Sequence, residues 1–141
     1  MRPLNLRLRG FTGIRKGMGL DEITLDLSQI KGLVALAGEN GRGKSTVLEN
    51  LHPYRSLFSR SGSLNQHCFL RDSEKDFTFS YEGHIYRTLL KIDAESDRGE
   101  GFIWRDGESV VDGKRKSYDA YIENILGSPF LFQNSVLCAQ N

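Results

Sequence analysis

Apolar and polar residues alternate near the start of the chain. Leu4, Leu6 and Leu8 stand against Asn5, Arg7 and Arg9, a period of two that predicts a half-buried strand. Ile23, Leu25 and Leu27 alternate with Thr24 and Asp26 and predict a second strand. The glycines between them, Gly10, Gly13, Gly17 and Gly19, predict a loop or long turn. Leu33 to Ala37 has no polar interruption and follows a Lys31-Gly32 turn, the pattern of a central strand covered on both faces. Gly38 to Gly43 breaks that run. Ser45 to Leu51 then predicts a helix with Val47, Leu48 and Leu51 inward, ended by Pro53.

The segment Ser59 to Gln66 is polar and rich in Ser and Gly, and predicts a mobile loop. Phe77, Phe79 and Tyr81 alternate, Glu82-Gly83 turns, and Ile85 to Ile92 runs back. Gly101 to Arg105, the Asp106-Gly107 turn and Glu108 to Val111 form a second hairpin, so positions of about 76 to 111 predict an antiparallel meander. Tyr118, Tyr121, Ile122, Ile125 and Leu126 fall at helical spacing before Gly127, a residue suited to a helix C-terminus. Ser128-Pro129 has the order of an N-cap and a first helical residue, and Val136-Leu137 predicts a strand leading to Gln140.

With 141 residues the chain is about one domain in size. Lys and Arg number 19 against 18 Asp and Glu, so no global field points to nucleic acid or excludes it. No apolar run approaches the roughly 18 residues of a membrane span, and a soluble cytoplasmic protein is expected. Cys68 and Cys138 lie far apart, and His52, His67 and His84 are scattered, so a zinc site is disfavoured and both cysteines read as reduced and structural.

One motif carries chemistry. Gly38-Glu39-Asn40-Gly41-Arg42-Gly43-Lys44-Ser45 matches G-x-x-x-x-G-K-[ST], expected by chance roughly once in a few hundred chains of this length. Glycines let backbone N–H groups turn inward around a phosphate without an obstructing Cβ. The following helix adds its partial positive charge. Lys44 is placed to bridge β- and γ-phosphates, the Ser45 hydroxyl to ligate Mg²⁺, and Thr46 to offer a hydroxyl toward the α-phosphate. Loop 38–46 therefore predicts a nucleoside triphosphate site.

Beyond that loop, Leu6-Arg-Leu-Arg-Gly-Phe-Thr-Gly, Ile23-Thr-Leu-Asp-Leu and Leu33-Val-Ala-Leu-Ala ahead of the glycines together resemble the amino-terminal half of SMC-like ATPases, and in particular the SbcC-like ATPases of double-strand-break repair. The resemblance implies an α/β fold: the amino-terminal lobe (1–141) of an ABC-type ATPase head, an incomplete head in which a mixed sheet carries the P-loop beside an antiparallel β portion. Phe130 to Gln140 resembles the family's approach to its Q-loop (130–141), which implies that Gln140 contacts Mg²⁺ and helps to position the attacking water. Two positions depart from the family pattern. Phe11-Thr12-Gly13 stands where relatives often read Phe-Arg-Ser, leaving Arg9 or Arg15 as substitutes near the adenine, and Asn141 replaces the usual Gly.

The family's Walker B carboxylates and signature motif are not found in this sequence. The expectation is a fragment, or a chain cut just before its coiled coil, that binds ATP and hydrolyses it very slowly unless a carboxyl-terminal half completes the head. The implied partners are that half, a second head in an ATP-dependent dimer, an SbcD-type nuclease and DNA, with no membrane. The alternatives are an SMC-type chromosome-organising clamp and an ABC transporter nucleotide-binding subunit. Arg2, Arg7, Arg9, Arg15 and Lys16, and separately Lys114-Arg115-Lys116, read either as phosphate contacts or as solvated surface. Phe77, Phe79, Tyr81 and Trp104 read as hairpin packing in preference to base-stacking platforms.

Overall fold

The alternating segments all join one sheet. In a computed structural model that describes residues 1–136, strand β1 (Arg2–Arg9) pairs with β2 (Glu22–Asp26) on one side and with β3 (Ser73–Tyr81) on the other. Strands β4 (His84–Ile92), β5 (Gly99–Arg105) and β6 (Glu108–Ser109) extend it, giving the order β2-β1-β3-β4-β5-β6. Every pairing is antiparallel, so the sheet is not the mixed one expected. Both hairpin turns carry two successive residues with positive φ, Glu82-Gly83 and Asp106-Gly107, the backbone that a two-residue hairpin loop requires. Asp106 ties the hairpins together at that end, accepting from the Ile85 amide at 2.9 Å and pairing with His84 Nδ1 at 2.6 Å.

Period-two patterning puts Leu6, Leu8, Phe77, Phe79, Tyr86, Leu90 and Ile103 on one buried face. Phe77, Phe79 and Tyr86 stack in series with centroids 5.5 and 5.3 Å apart. Each such side chain taken from water contributes roughly 1.5–3 kcal/mol before conformational entropy is charged against it. The opposite face is polar: Arg87 pairs with Asp76 at 2.6 Å and covers the half-exposed Trp104 ring at 5.1 Å. Phe77 and Phe79 are thus packing residues, and a cation already occupies one face of Trp104.

Four helices cover the buried face or its ends. Helix α1 (Thr12–Met18) stands where the glycines predicted a loop; it ends at Gly19, whose φ of 72° allows its N–H to return to the Arg15 carbonyl. Phe11 and Ile14 anchor α1 in the core, and Phe11 bridges to Cys68. Helix α2 (Lys44–Leu48) is shorter than the pattern implied, with Thr46 and Val47 buried and Leu48 half exposed. Helix α3 (Arg115–Leu126) lays Tyr118 and Ile122 on the sheet. Helix α4 (Pro129–Val136) takes in Val136, where a strand was expected, and Leu137 lies outside the described residues. Among the described residues no helix is long and apolar enough to cross a membrane.

Residues 49–58 run between the helices and the sheet and are held by side chains from both. The Tyr118 hydroxyl donates to the Pro53 carbonyl, the Tyr54 hydroxyl to Gly127 O at 2.8 Å, and Arg55 forms a two-pronged pair with Asp119. The polar segment after Ser59 includes a 3-10 helix, Leu64–His67, that buries Leu64.

The largest departure concerns Leu33 to Ala37. This run is not a strand: it pairs with no described residue, and Leu33 is 99% exposed. A strand buried on both faces needs neighbours along both edges and layers above and below, and none of the described elements occupies those positions.

Gly101 fixes how closely α3 approaches the sheet. A Cβ there would lie 2.7–2.8 Å from the Tyr118 ring and Cβ, although the backbone at Gly101 is one that any residue adopts. Gly101→Ala is expected to lower stability by about 1–3 kcal/mol through overpacking, read as a drop in the urea midpoint at constant slope.

Candidate functional site

The glycine-rich loop leads into α2 through two residues in the left-handed region, Gly41 (φ 80°) and Gly43 (φ 82°), with Gly43 serving as the helix N-cap. Nothing lies within 4 Å of a Cβ built on Gly41, so that side of the loop is open. Lys44 folds back over the loop and its Nζ donates to the carbonyls of Gly38 and Glu39, each at 2.6 Å. Among the described residues no carboxylate neutralises it there. The Glu39 carboxylate is turned instead to Arg42, whose Nη2 and Nε lie 3.0 and 3.2 Å away.

This arrangement fits a polyphosphate. The ammonium is held by neutral carbonyls, which it can exchange for phosphate oxygens, and the loop's one acidic side chain is already paired. Ser45 is exposed on the first turn of α2, where a hydroxyl can reach a cation beside the phosphates, and Asn40 is exposed at the tip of the loop. Thr46 differs from its expected position: it is 5% exposed, with its hydroxyl turned to Gly13 on α1. Gln140 lies outside the described residues, as does Cys138. Among the described residues no group of three or more His, Cys, Asp or Glu could hold a metal ion.

The opening cations are engaged by the fold. Arg7 pairs with Glu22 and Glu74, Arg9 with Asp72 and Arg15 with Asp21, while Arg2 donates to the carbonyls of Ser28 and Ile30. Lys114 and Arg115 pair with Asp112 and Asp97. Carboxylates beside them thus offset Arg7, Arg9, Arg15, Lys114 and Arg115.

Sequence patterning gave no sign of a buried polar group beneath the segment that follows α2. Lys75 on β3 is fully enclosed, and its Nζ has one hydrogen bond, to Tyr54 O at 3.2 Å. Burial pulls its pKa down to about 7. His52 is enclosed as well; the Tyr54 N–H donates to its Nδ1 at 3.2 Å, which puts the proton of the neutral ring on Nε2. Burial, with Lys75 nearby, holds the imidazole well below its ordinary 6.5. Burial also pushes the Cys68 thiol up to about 12. Residue types alone give no hint of this, because Lys75 sits on a strand whose neighbours Glu74 and Asp76 are charged too.

These groups set a pH dependence. Between about 7 and 10.5 the unfolded chain keeps a proton on Lys75 that the folded chain releases, so stability rises with pH from 7. Above 9 the unfolded Cys68 thiol ionises and opposes that rise. Below 6.5 the unfolded chain protonates His52 and stability falls. Denaturant titrations are expected to show stability increasing between pH 7 and 9 by at most about 1.4 kcal/mol per unit. In Lys75→Met that rise is expected to disappear.

Comparison with known proteins adds an independent line. The chain is 29% identical over 140 residues to the SbcC component of the nuclease SbcCD from Deinococcus radiodurans, an alignment covering 92% of this chain and 15% of that protein. It is 27% identical over 118 residues to the DNA double-strand break repair Rad50 ATPase of Methanocaldococcus jannaschii, covering 78% of this chain and 11% of the relative. No family model matches. The chain thus spans well under a fifth of the length of the curated relatives it matches. Over most of its own length, this α/β chain is SbcC/Rad50-like.

Proposed function

We propose that residues 38–46 bind ATP with Mg²⁺ and that the chain is the amino-terminal lobe of an SbcC/Rad50-type ATPase head working in double-strand-break repair. The observation that carries this reading is the Lys44 ammonium, held at the loop by two backbone carbonyls and by no acid among the described residues. Residues of this chain divide the work. The amides of Gly41, Arg42, Gly43 and Lys44 grip the phosphates, the Lys44 ammonium moves from carbonyl to phosphate oxygen, and Ser45 ligates the metal. Gln140 would contact the metal and help to position water. When bound, Mg-ATP supplies the phosphoanhydride whose cleavage powers the head and a divalent charge that steadies its oxygens.

The unpaired Leu33–Ala37 run supports the remainder of the proposal. An apolar segment so exposed, leading directly into the loop, is suited to enter a sheet built with a carboxyl-terminal half of the same head. That half would supply the carboxylates that polarise water, so this chain alone binds ATP and turns it over very slowly. A second head closing on the nucleotide, DNA, and an SbcD-type nuclease are the partners this reading implies. The name of the Rad50 relative, a DNA double-strand break repair ATPase, and that of the SbcCD nuclease subunit favour a repair ATPase over a chromosome-organising clamp or a transporter component.

Lys44→Ala tests the site. Removing a desolvated charge partner of the phosphates is expected to weaken Mg-ATP binding by at least a hundredfold, measured by calorimetry, with an unfolding midpoint near that of the parent without nucleotide. Parental affinity in the variant would falsify the assignment.

A further inference from the structure

Residues 31–39, upstream of the phosphate loop, form no regular structure and rest on the core only through the partly buried Leu36. The loop's placement comes from α2 and from α1, and the contact with α1 is unusually close. A Cβ on Gly17 would lie 2.6 Å from three backbone atoms of the loop: Arg42 C, Gly41 O and Gly43 N. One turn earlier, a Cβ on Gly13 would lie 2.0 Å from Thr46 Oγ1. Looking back from the loop, a Cβ on Gly43 would meet Gly13 O and Ile14 Cδ1, both at 3.2 Å. Arg42 Nη1 also reaches the Gly17 carbonyl at 3.4 Å. Residues 13 and 17 share one helix face, so α1 presents a strip of bare backbone against which the loop lies.

The other side of α1 is fixed. Phe11 and Ile14 are buried in the sheet's core, and the Gly10 N–H donates to Asp21 O at 2.7 Å, joining the start of the helix to the strands. The helix is therefore a rigid spacer between the sheet and the loop, with a thickness set by the absence of two methyl groups.

We infer that Gly13 and Gly17 are positioning residues for the phosphate site, holding the backbone of 41–43 in the curvature that directs its amides at a polyphosphate. This rests on the ATP-binding reading above and adds to it a part of the chain outside the phosphate-binding motif. The contact at Gly17 is backbone on backbone. An added methyl has no flexible side chain to displace, so the loop itself must move by several tenths of an ångström or more, enough to misalign several amide donors at once.

The sign of the effect makes the inference testable. Glycine to alanine inside a helix ordinarily stabilises, and Gly17 has helical backbone angles that alanine adopts freely. Gly17→Ala in the full-length protein, probed with Mg-ATP, is expected to unfold within a few degrees of the parent without nucleotide. It is also expected to bind ATP at least tenfold more weakly, with a correspondingly smaller ATP-induced rise in the midpoint. A purely structural role would instead lower the midpoint without nucleotide and leave affinity in the folded fraction intact. Parental ATP affinity in Gly17→Ala overturns the inference. If that variant does not fold, Gly13→Ala decides, since it opposes the Thr46 side chain and no loop backbone: weakened binding supports the role, whereas parental affinity or failure to fold overturns it. Lys44→Ala, run in parallel, separates the two claims. Loss of binding there with parental binding in Gly17→Ala removes only the positioning role, and parental binding in Lys44→Ala removes the ATP site itself.

Discussion

Burial of one face of an antiparallel sheet is the constraint on which the rest of the structure depends. Leu6 and Leu8 on β1 lie beside Phe77 and Phe79 on β3, and none of these four side chains is exposed. That surface is too large to leave in water, so three otherwise unrelated pieces settle on it: Phe11 and Ile14 at the start of α1, residues 50–58, and Tyr118 and Ile122 of α3. Each brings polar backbone with it, and in residues 50–58 two carbonyls are met by side chains of the neighbouring layers. The Tyr118 hydroxyl and the Lys75 amine take the carbonyls of Pro53 and Tyr54, which lie in the layer between helix and sheet. Enclosing a lysine this way costs stability at neutral pH and gains one well-defined position for the chain that leaves α2.

The glycine-rich loop 38–46 is a passenger on this core. Its own sequence supplies the conformational freedom, through positive φ at Gly41 and Gly43, and the charge, through Lys44. Its location comes from outside, from the glycine face of α1 and the burial of Thr46 and Val47. The run that leads into it, Leu33 to Ala37, remains unpaired and largely in solvent. The structure therefore has two parts of unequal completeness: a β-layer with its own core, and a glycine-rich loop attached to it through α1 and α2.

Much of the β-layer was legible because period-two patterning states directly which side of a strand is buried. The hairpin at Asp106-Gly107 was legible for a different reason, since its positive φ values can be met by few residue types. Helix α1 was hidden by the glycines that give it its contact surface. In a one-dimensional reading, Gly13 and Gly17 indicate a turn, and only the neighbouring backbone reveals that they make room for another segment. The extent of α2 was overread because Leu48 and Leu51 continue the apolar spacing, whereas the backbone tightens after Leu48 and Leu48 itself stays half exposed.

The amino-acid sequence by itself determined the local chemistry: a lysine and a hydroxyl after a glycine loop, strands of fixed facing, turns of fixed hand. These depend on side-chain type and backbone freedom within a few residues, which the order of residues specifies completely. Tertiary structure decided what is near what. It enclosed Lys75 and His52, turned Thr46 toward α1, paired Arg7 and Arg9 with carboxylates, and left Leu33 in water. Those outcomes depend on whether a second surface is present to meet the first, and contacts between segments dozens of residues apart leave no periodic trace in either one.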